Sequence, residues 1–284
     1  MKNYVIVVDT TSATNFEIAN RYGMELIPLS IVINGKEFKD QVEITNEELY
    51  TQLENGVVPT TSQPNVGYLQ EVMSSWKEKA YEAIFILTCS SDLSGTWSAL
   101  HLAKKELQMD NAFVIDTRSV GAPILDAAIE AKKMAEQDAE VDEILAMLDL
   151  KFKNQFSFLY PKTLTQLKKG GRISPVAANM ASLLKIKPLL YLKEDGSCVD
   201  KFGISRTEGK VVQLIVDKFK QLQINALTHK LYVSHANNEV GAKQTKKFLQ
   251  AVFQDIECEI LELPSVLTCH GGLGCITVQS TLKR

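Results

Sequence analysis

In the first half of the chain, three short runs are apolar almost from end to end: Tyr4–Val8 (YVIVV), Ala83–Thr88 (AIFILT) and Ala112–Ile115 (AFVI). A strand with one face in water alternates polar and apolar residues, so runs without alternation suit strands covered on both faces. Helix-like patterns accompany them. Trp97, Leu100, Ala103 and Leu107 recur at three- and four-residue spacing, as do Val120, Ile124, Ala128, Ala131 and Ala135. Strand–helix alternation of this kind predicts a largely parallel, doubly wound sheet. The pair Asn34-Gly35, between IPLSIVI and KEF, predicts a hairpin beside it.

The second half has a different rhythm. KPLLYLKEDGSCVDKFGI places two strand-like runs around Asp195-Gly196, a hairpin signal. Helical patterns over about Glu208–Gln223 and Glu239–Phe253 are each followed by a strand-like run, KLYVSH and then CEILEL, and GCITVQS closes the chain. Hairpins mixed with helices predict an α+β unit with a mostly antiparallel sheet. The expected organisation is therefore α/β: an N-terminal parallel domain over residues 1–150 and a C-terminal α+β domain over 151–284. No Gly/Ser- or Pro-rich linker separates them, so they are expected to pack tightly.

Composition narrows the function. With 45 % hydrophobic and 23 % charged residues among 284, the chain is not a disordered one. Lys plus Arg total 31 against 34 Asp plus Glu, which lacks the basic footprint of a general nucleic-acid binder. No apolar run approaches the roughly 20 residues that a spanning helix needs. Asp9 follows the first apolar run so closely that MKNYVIVVDTTS reads as a buried strand and not a signal peptide; a cytoplasmic location is expected. The cysteines (Cys89, Cys198, Cys258, Cys269 and Cys275) are odd in number and form no CxxC pair, against a disulfide framework or a structural zinc site. Most are expected inside apolar strands (ILTC, SCV, ECEIL) as small hydrophobes.

Ligands of open α/β sheets bind at the carboxyl ends of the strands, beside helix N-termini. Three polar corners are expected at such positions: Asp9-Thr10-Thr11-Ser12, Thr60-Thr61-Ser62-Gln63-Pro64, and Ser90-Ser91-Asp92-Leu93-Ser94-Gly95-Thr96. Each offers hydroxyls to an anion, although helix capping accounts for the same residues locally. Leu167-Lys168-Lys169-Gly170-Gly171-Arg172-Ile173-Ser174 sets three cations around two glycines, suited to a phosphate, to an acidic partner or merely to a helix C-terminus. His270 stands before Gly271, Gly272 and Gly274; His101, His229 and His235 look structural. Ser94 and His270 together raise a serine hydrolase, but the elbow G-x-S-x-G is absent, because Asp92 occupies its first glycine position. HExxH, EF-hand and GxxxxGK[ST] patterns are absent too. On residues alone the chain is an anion-binding α/β protein, enzyme or carrier.

Seven segments in order resemble the DegV family: VVDTTS at 7–12, PTTSQPN at 59–65, SSDLSGTWSA at 90–99, VIDTRSVG at 114–121, LKKGGRIS at 167–174, KIKPLL at 185–190 and HGGLG at 270–274. That resemblance implies two domains holding one long-chain fatty acid in a tunnel between them. It implies that Thr61 and Ser94 hydrogen-bond the carboxyl group and that His270 orders the network, with Ser62, Gly95, Thr96 and Gly271 completing the head-group site. It further implies that the bound carboxylate is presented to a separate ATP-dependent fatty-acid kinase, which makes an acyl phosphate for phospholipid synthesis. Kinase docking would fall to Arg172 and Arg206, with Lys168 and Lys169 beside the first. On this resemblance the chain is a carrier without turnover, without metal or cofactor, and in transient contact with a membrane surface at most. The alternative is a hydrolase or acyltransferase using Ser94 and His270. Candidates to line the tunnel are Ile27, Leu29, Ile31, Leu93, Ile124, Met180, Leu183 and Leu184.

Overall fold

Along the first strand, β1 (Tyr4–Asp9), side chains alternate between two apolar layers. Tyr4, Ile6 and Val8 enter one core and Val5 and Val7 another. This double coverage is the physical basis of its unbroken hydrophobicity. The structure, a computed structural model, describes residues 2–182 and 186–283. After β1 come α1 (Phe16–Arg21), β2 (Glu25–Ile27), β3 (Ser30–Ile33), β4 (Lys36–Lys39), α2 (Asn46–Glu54) and β5 (Thr60–Ser62). Then follow α3 (Val66–Glu78), β6 (Ala83–Thr88), α4 (Thr96–Glu106), β7 (Ala112–Asp116), α5 (Ala122–Glu136) and α6 (Val141–Lys153). The remainder is β8 (Phe156–Tyr160), α7 (Thr165–Gly170), α8 (Pro175–Ala178), β9 (Lys187–Leu192), β10 (Val199–Ser205) and α9 (Glu208–Gln221). It ends with β11 (His229–His235), α10 (Glu239–Val252), β12 (Cys258–Glu262), α11 (Ser265–Gly271) and β13 (Ile276–Leu282).

The first sheet has the order β2-β1-β6-β7 and is parallel throughout. Helices α5 and α6 cover one face through Ile124, Leu125, Ala128, Ile144 and Leu148; α3 and α4 cover the other through Leu69, Met73, Trp76 and Leu100. This is the doubly wound unit that the apolar runs predict. The segment IPLSIVI is not one strand. Pro28 lies between β2, which joins β1, and β3, which leaves for a small antiparallel sheet of order β4-β3-β5. The Asn34-Gly35 hairpin forms as expected, with both residues at positive φ.

The second sheet has the order β10-β9-β8-β13-β11-β12 and is antiparallel except for the β11–β12 pair. Phe156, Phe158 and Tyr160 of β8 and Ile276 and Val278 of β13 meet α9 and α10 in one core. The alternate residues, Ser157 and Leu159 on β8 and Thr277, Gln279 and Thr281 on β13, face the other way, toward the first unit. The expected hairpin at Asp195-Gly196 joins β9 to β10, and Ser90 Oγ donates to Gly196 O at 2.8 Å, pinning that turn onto the first unit. The cysteines depart from expectation: Cys258 opens β12, but Cys89 lies just past β6, Cys198 precedes β10 and Cys269 is in α11. All five are free thiols.

Candidate functional site

A cavity of about 410 Å3 opens where the carboxyl edge of the parallel sheet, the small sheet and the free face of the six-stranded sheet converge. Thr61, Ser62, Ser94, Gly95, His270, Gly271 and Arg172 line it, together with the apolar side chains of Leu29, Leu93, Leu167, Leu263 and Leu267. Residues from remote parts of the sequence thus share one wall-to-wall space between the two main sheets.

Thr61 is not at the end of a parallel strand, as the sequence suggests. It lies in β5, an edge strand paired with Ile31 of β3. α11 packs against β3 and β5, and brings His270, in its last turn, to Thr61: Nε2 and Oγ1 are 2.9 Å apart. Nδ1 is buried and has no hydrogen-bond partner among the described residues. A Cβ on Gly170 would collide with Nδ1, so the glycine there makes room for the imidazole. Burial, and then the nearby Arg172 guanidinium, hold the His270 pKa at about 4, and the ring is neutral near pH 7. With the proton on Nε2 the ring donates to Thr61 Oγ1 and leaves the threonine hydroxyl proton to the cavity; with it on Nδ1 the threonine hydroxyl donates to Nε2.

Ser94 arrives on the loop after β6. Its Oγ lies 2.9 Å from Thr96 Oγ1 and accepts from Thr96 N at 3.3 Å. Thr96 itself is fully buried behind Ser94 and does not line the cavity; its place is to orient the serine. At Gly95 the Gln63 side chain occupies the space that a Cβ would need. The pairing needed for a serine nucleophile is not made: His270 bonds Thr61, while Ser94 bonds Thr96.

The first corner is a structural staple. Asp9 accepts from Thr11 N at 2.9 Å, from the Thr11 hydroxyl, and from Cys89 N at 3.0 Å, tying the ends of β1 and β6 together. Burial raises its pKa against those bonds. Thr10 Oγ1 accepts from Leu29 N at 3.1 Å, and Ser12 Oγ donates to Asp9 O at 2.6 Å. Only Thr11 of this corner reaches the cavity.

The basic turn also reads differently in three dimensions. Lys168 and Lys169 are exposed in the last turn of α7, which Gly171 ends at φ 71. Arg172, expected on an outer docking surface, instead folds back: Nε donates to Leu93 O at 3.0 Å, Nη1 donates to Gly170 O, and the side chain lines the cavity. Arg206 lies apart, exposed beside a separate cleft of about 300 Å3 with Lys162, Lys187 and Glu208. Of the expected tunnel residues, Leu29 and Leu93 line the cavity, whereas Ile27, Ile31, Ile124 and Met180 are buried in the surrounding cores and do not line it. Leu183 and Leu184 lie outside the described residues, as does Lys185 of the KIKPLL segment.

Sequence reasoning passed over the sheet-side wall, formed by Ser157, Thr277 and Gln279. The signal was present in ITVQSTL, where polar residues alternate along a strand buried at the centre of a sheet. A larger cleft of about 810 Å3 opens elsewhere between β7, α6 and the β9–β10 turn; Asp116 and Arg118 line it, and none of the expected head-group residues does. Among the described residues there is no cluster of three or more metal-ligating side chains, and no helix is long and apolar enough to cross a membrane.

The sequence model of the DegV family, described as an uncharacterised protein family, matches residues 3–283. A fatty acid-binding protein of Thermotoga maritima is 30 % identical over 278 residues, covering 95 % of each chain. A DegV family protein of Thermus thermophilus, whose structure is described for its fatty acid binding, superposes with a TM-score of 0.90 at 27 % identity, over 99 % of this chain and 100 % of that one. DegV of Bacillus subtilis, described as a fatty acid binding protein, superposes with a TM-score of 0.87 at 25 % identity, over 100 % of both.

Proposed function

Because the chain belongs to the DegV family, we propose that it binds one long-chain fatty acid in the cavity between its sheets, carboxyl group toward Thr61, Ser94 and His270. The observation that carries this reading is the convergence of two hydroxyls and a neutral imidazole in a cavity whose apolar lining includes Leu29, Leu93, Leu167, Leu263 and Leu267. A tail of ~15 methylenes at ~0.8 kcal/mol each supplies on the order of 12 kcal/mol before association costs. Ser62, Gly95 and Gly271 complete the head-group end, and Thr96 holds Ser94 in place. Arg172 adds a positive charge at the same wall, where it favours the ionised carboxylate. In this reading the chain divides near residue 150, with the acyl tunnel between the two units.

The protein acts as a carrier that presents the carboxylate to a separate ATP-dependent kinase, which converts it to an acyl phosphate for phospholipid synthesis in the cytoplasm. A carboxylate held mainly by neutral donors stays nucleophilic, which suits attack on a γ-phosphate. Exposed Lys168 and Lys169 beside the head-group end, and Arg206 further off, are the cations available for docking that partner. Contact with a membrane surface would be transient, for loading. The carrier reading is supported over a hydrolase because His270 is engaged by Thr61 and has no carboxylate to orient it.

Extraction of the purified protein with organic solvent, followed by mass spectrometry, tests the proposal. A long-chain fatty acid close to one per chain is expected, with no acyl-ester hydrolysis in the absence of kinase and ATP. Lipid-free protein that cannot be loaded, or ester turnover that Ser94→Ala abolishes, would overturn it.

A further inference from the structure

Gln279 is a buried amide in the middle of β13, and the head-group chemistry makes no use of it. Both of its amide protons are engaged: Nε2 donates to Val120 O and to Ser157 Oγ, each at 2.7 Å. Its Oε1 accepts from Ala122 N at 3.0 Å, and Ser157 Oγ donates onward to Gln155 Oε1 at 3.2 Å. Gly121 forms the seat. It has φ 80, and a Cβ there would come within 2.7 Å of Gln279 Oε1. The side chain therefore bridges from β13 to the loop after β7 and to β8, and its bonds fix it in place.

This bridge stands between two spaces. Val120, Ser157 and Gln279 line the cavity of about 410 Å3, whereas Thr117, Gln155 and Ser280, close by on the same three segments, line the cleft of about 810 Å3. Beyond the bridge an apolar surface continues through Phe152, Phe156, Leu222 and Ile224. Because the polar atoms of the bridge bond one another, a terminal methyl can rest against it without leaving any of them unpaired. A wall held by that many bonds does not yield to a further methylene without strain. Resting on the fatty-acid reading above, we infer that Gln279 is the floor of the acyl tunnel and sets the longest chain that the protein accepts.

The test is displacement of a fluorescent fatty acid from the full chain by saturated acids from dodecanoic to tetracosanoic. In the parent, affinity should rise about fourfold per added methylene up to one length and stop rising there. Gln279→Ala opens the floor toward the cleft and should move that break to a chain about two to three carbons longer. An unmoved break, or a loss of affinity equal at every length, would show that Gln279 only fastens α5, and would overturn the inference while the fatty-acid reading stands. A second measurement needs no variant: the acid at the break, carrying a diazirine on its terminal carbon, is photolysed in the parent protein and its adducts are mapped by mass spectrometry. Adducts on Gln279, Ser157 or Val120 are expected. Adducts on Leu263 or Leu267 instead would put the tail under α11 and overturn the inference. If no acid of the series binds the parent, the fatty-acid reading falls and this one with it.

Discussion

Two ends of one strand show how the same kind of side chain can close an interface or leave it open. At one end of β13, Thr281 Oγ1 donates to Asp126 Oδ2 at 3.2 Å, and that carboxylate also takes Lys151 Nζ at 2.7 Å and, through Oδ1, Tyr232 OH at 2.7 Å. Lys151 donates further to Leu282 O at 2.6 Å. One residue pair inward, Gln279 fastens the start of α5. At the other end Thr277 has no such partner and lies in the cavity wall. Burial by itself would raise the Asp126 pKa, but the Lys151 charge and the hydrogen bonds outweigh it and hold the carboxyl below its usual range. The lesson is that the two units are clamped by a saturated polar network at one end, and this lets the opposite end stay hollow without the sheets drifting apart.

The clamp is the place to break first. Lys151 and Asp126 side chains are each only 5 % exposed. Lys151→Met should destabilise the chain by about 3–5 kcal/mol in urea unfolding, because it leaves a buried carboxylate short of its main counter-charge. A loss under about 1 kcal/mol would mean that the network does not clamp the interface.

The hollow end should show itself in pH dependence. With His270 held at about 4 and an unfolded histidine titrating near 6.5, the unfolded chain binds the extra proton between those values. Stability from this residue is therefore complete above about pH 6.5 and declines as pH falls toward 4, by on the order of 3 kcal/mol. His270→Gln keeps a donor for Thr61 and cannot titrate. Its unfolding free energy should lose that part of the slope, and an unchanged pH profile would contradict the buried, neutral imidazole.

Smaller effects distinguish site residues from surface ones. Ser94→Ala and Thr61→Ala should each weaken fatty-acid binding by about 1–3 kcal/mol with little change in folding stability. Arg172→Ala should weaken it too, as a cavity residue, whereas Arg206→Ala should shift lipid affinity by less than about 0.5 kcal/mol. Equal effects of the two arginine substitutions on calorimetric affinity would remove the distinction between cavity and outer surface.

The sequence carried the large elements legibly for stated reasons. β1 and β6 are buried on both faces and β7, at the sheet edge, is partly covered on both, so all three are continuously apolar, and α9 and α10 repeat their apolar stripe at helical spacing. The small sheet was not legible, since β5 is only three polar residues, TTS, and shows no period. Nor did any local signal divide IPLSIVI between two sheets beyond Pro28 itself. The motif residues Thr61, Ser94 and His270 could be singled out, but their geometry could not. Thr61 and His270 are 209 positions apart, and meet because α11 packs on β5. The inward turn of Arg172 depends on carbonyls of Leu93 and Gly170 that only the folded chain brings into reach.

The central claim is that the carboxyl group of a fatty acid sits among Thr61, Ser94 and His270. Carbon-13 NMR of a carboxyl-labelled long-chain fatty acid bound to the protein reads that position directly. A single bound carboxyl resonance is predicted, displaced in Thr61→Ala and Ser94→Ala and unmoved in Arg206→Ala. A bound resonance indifferent to the Thr61 and Ser94 substitutions would put the head group elsewhere and contradict the account.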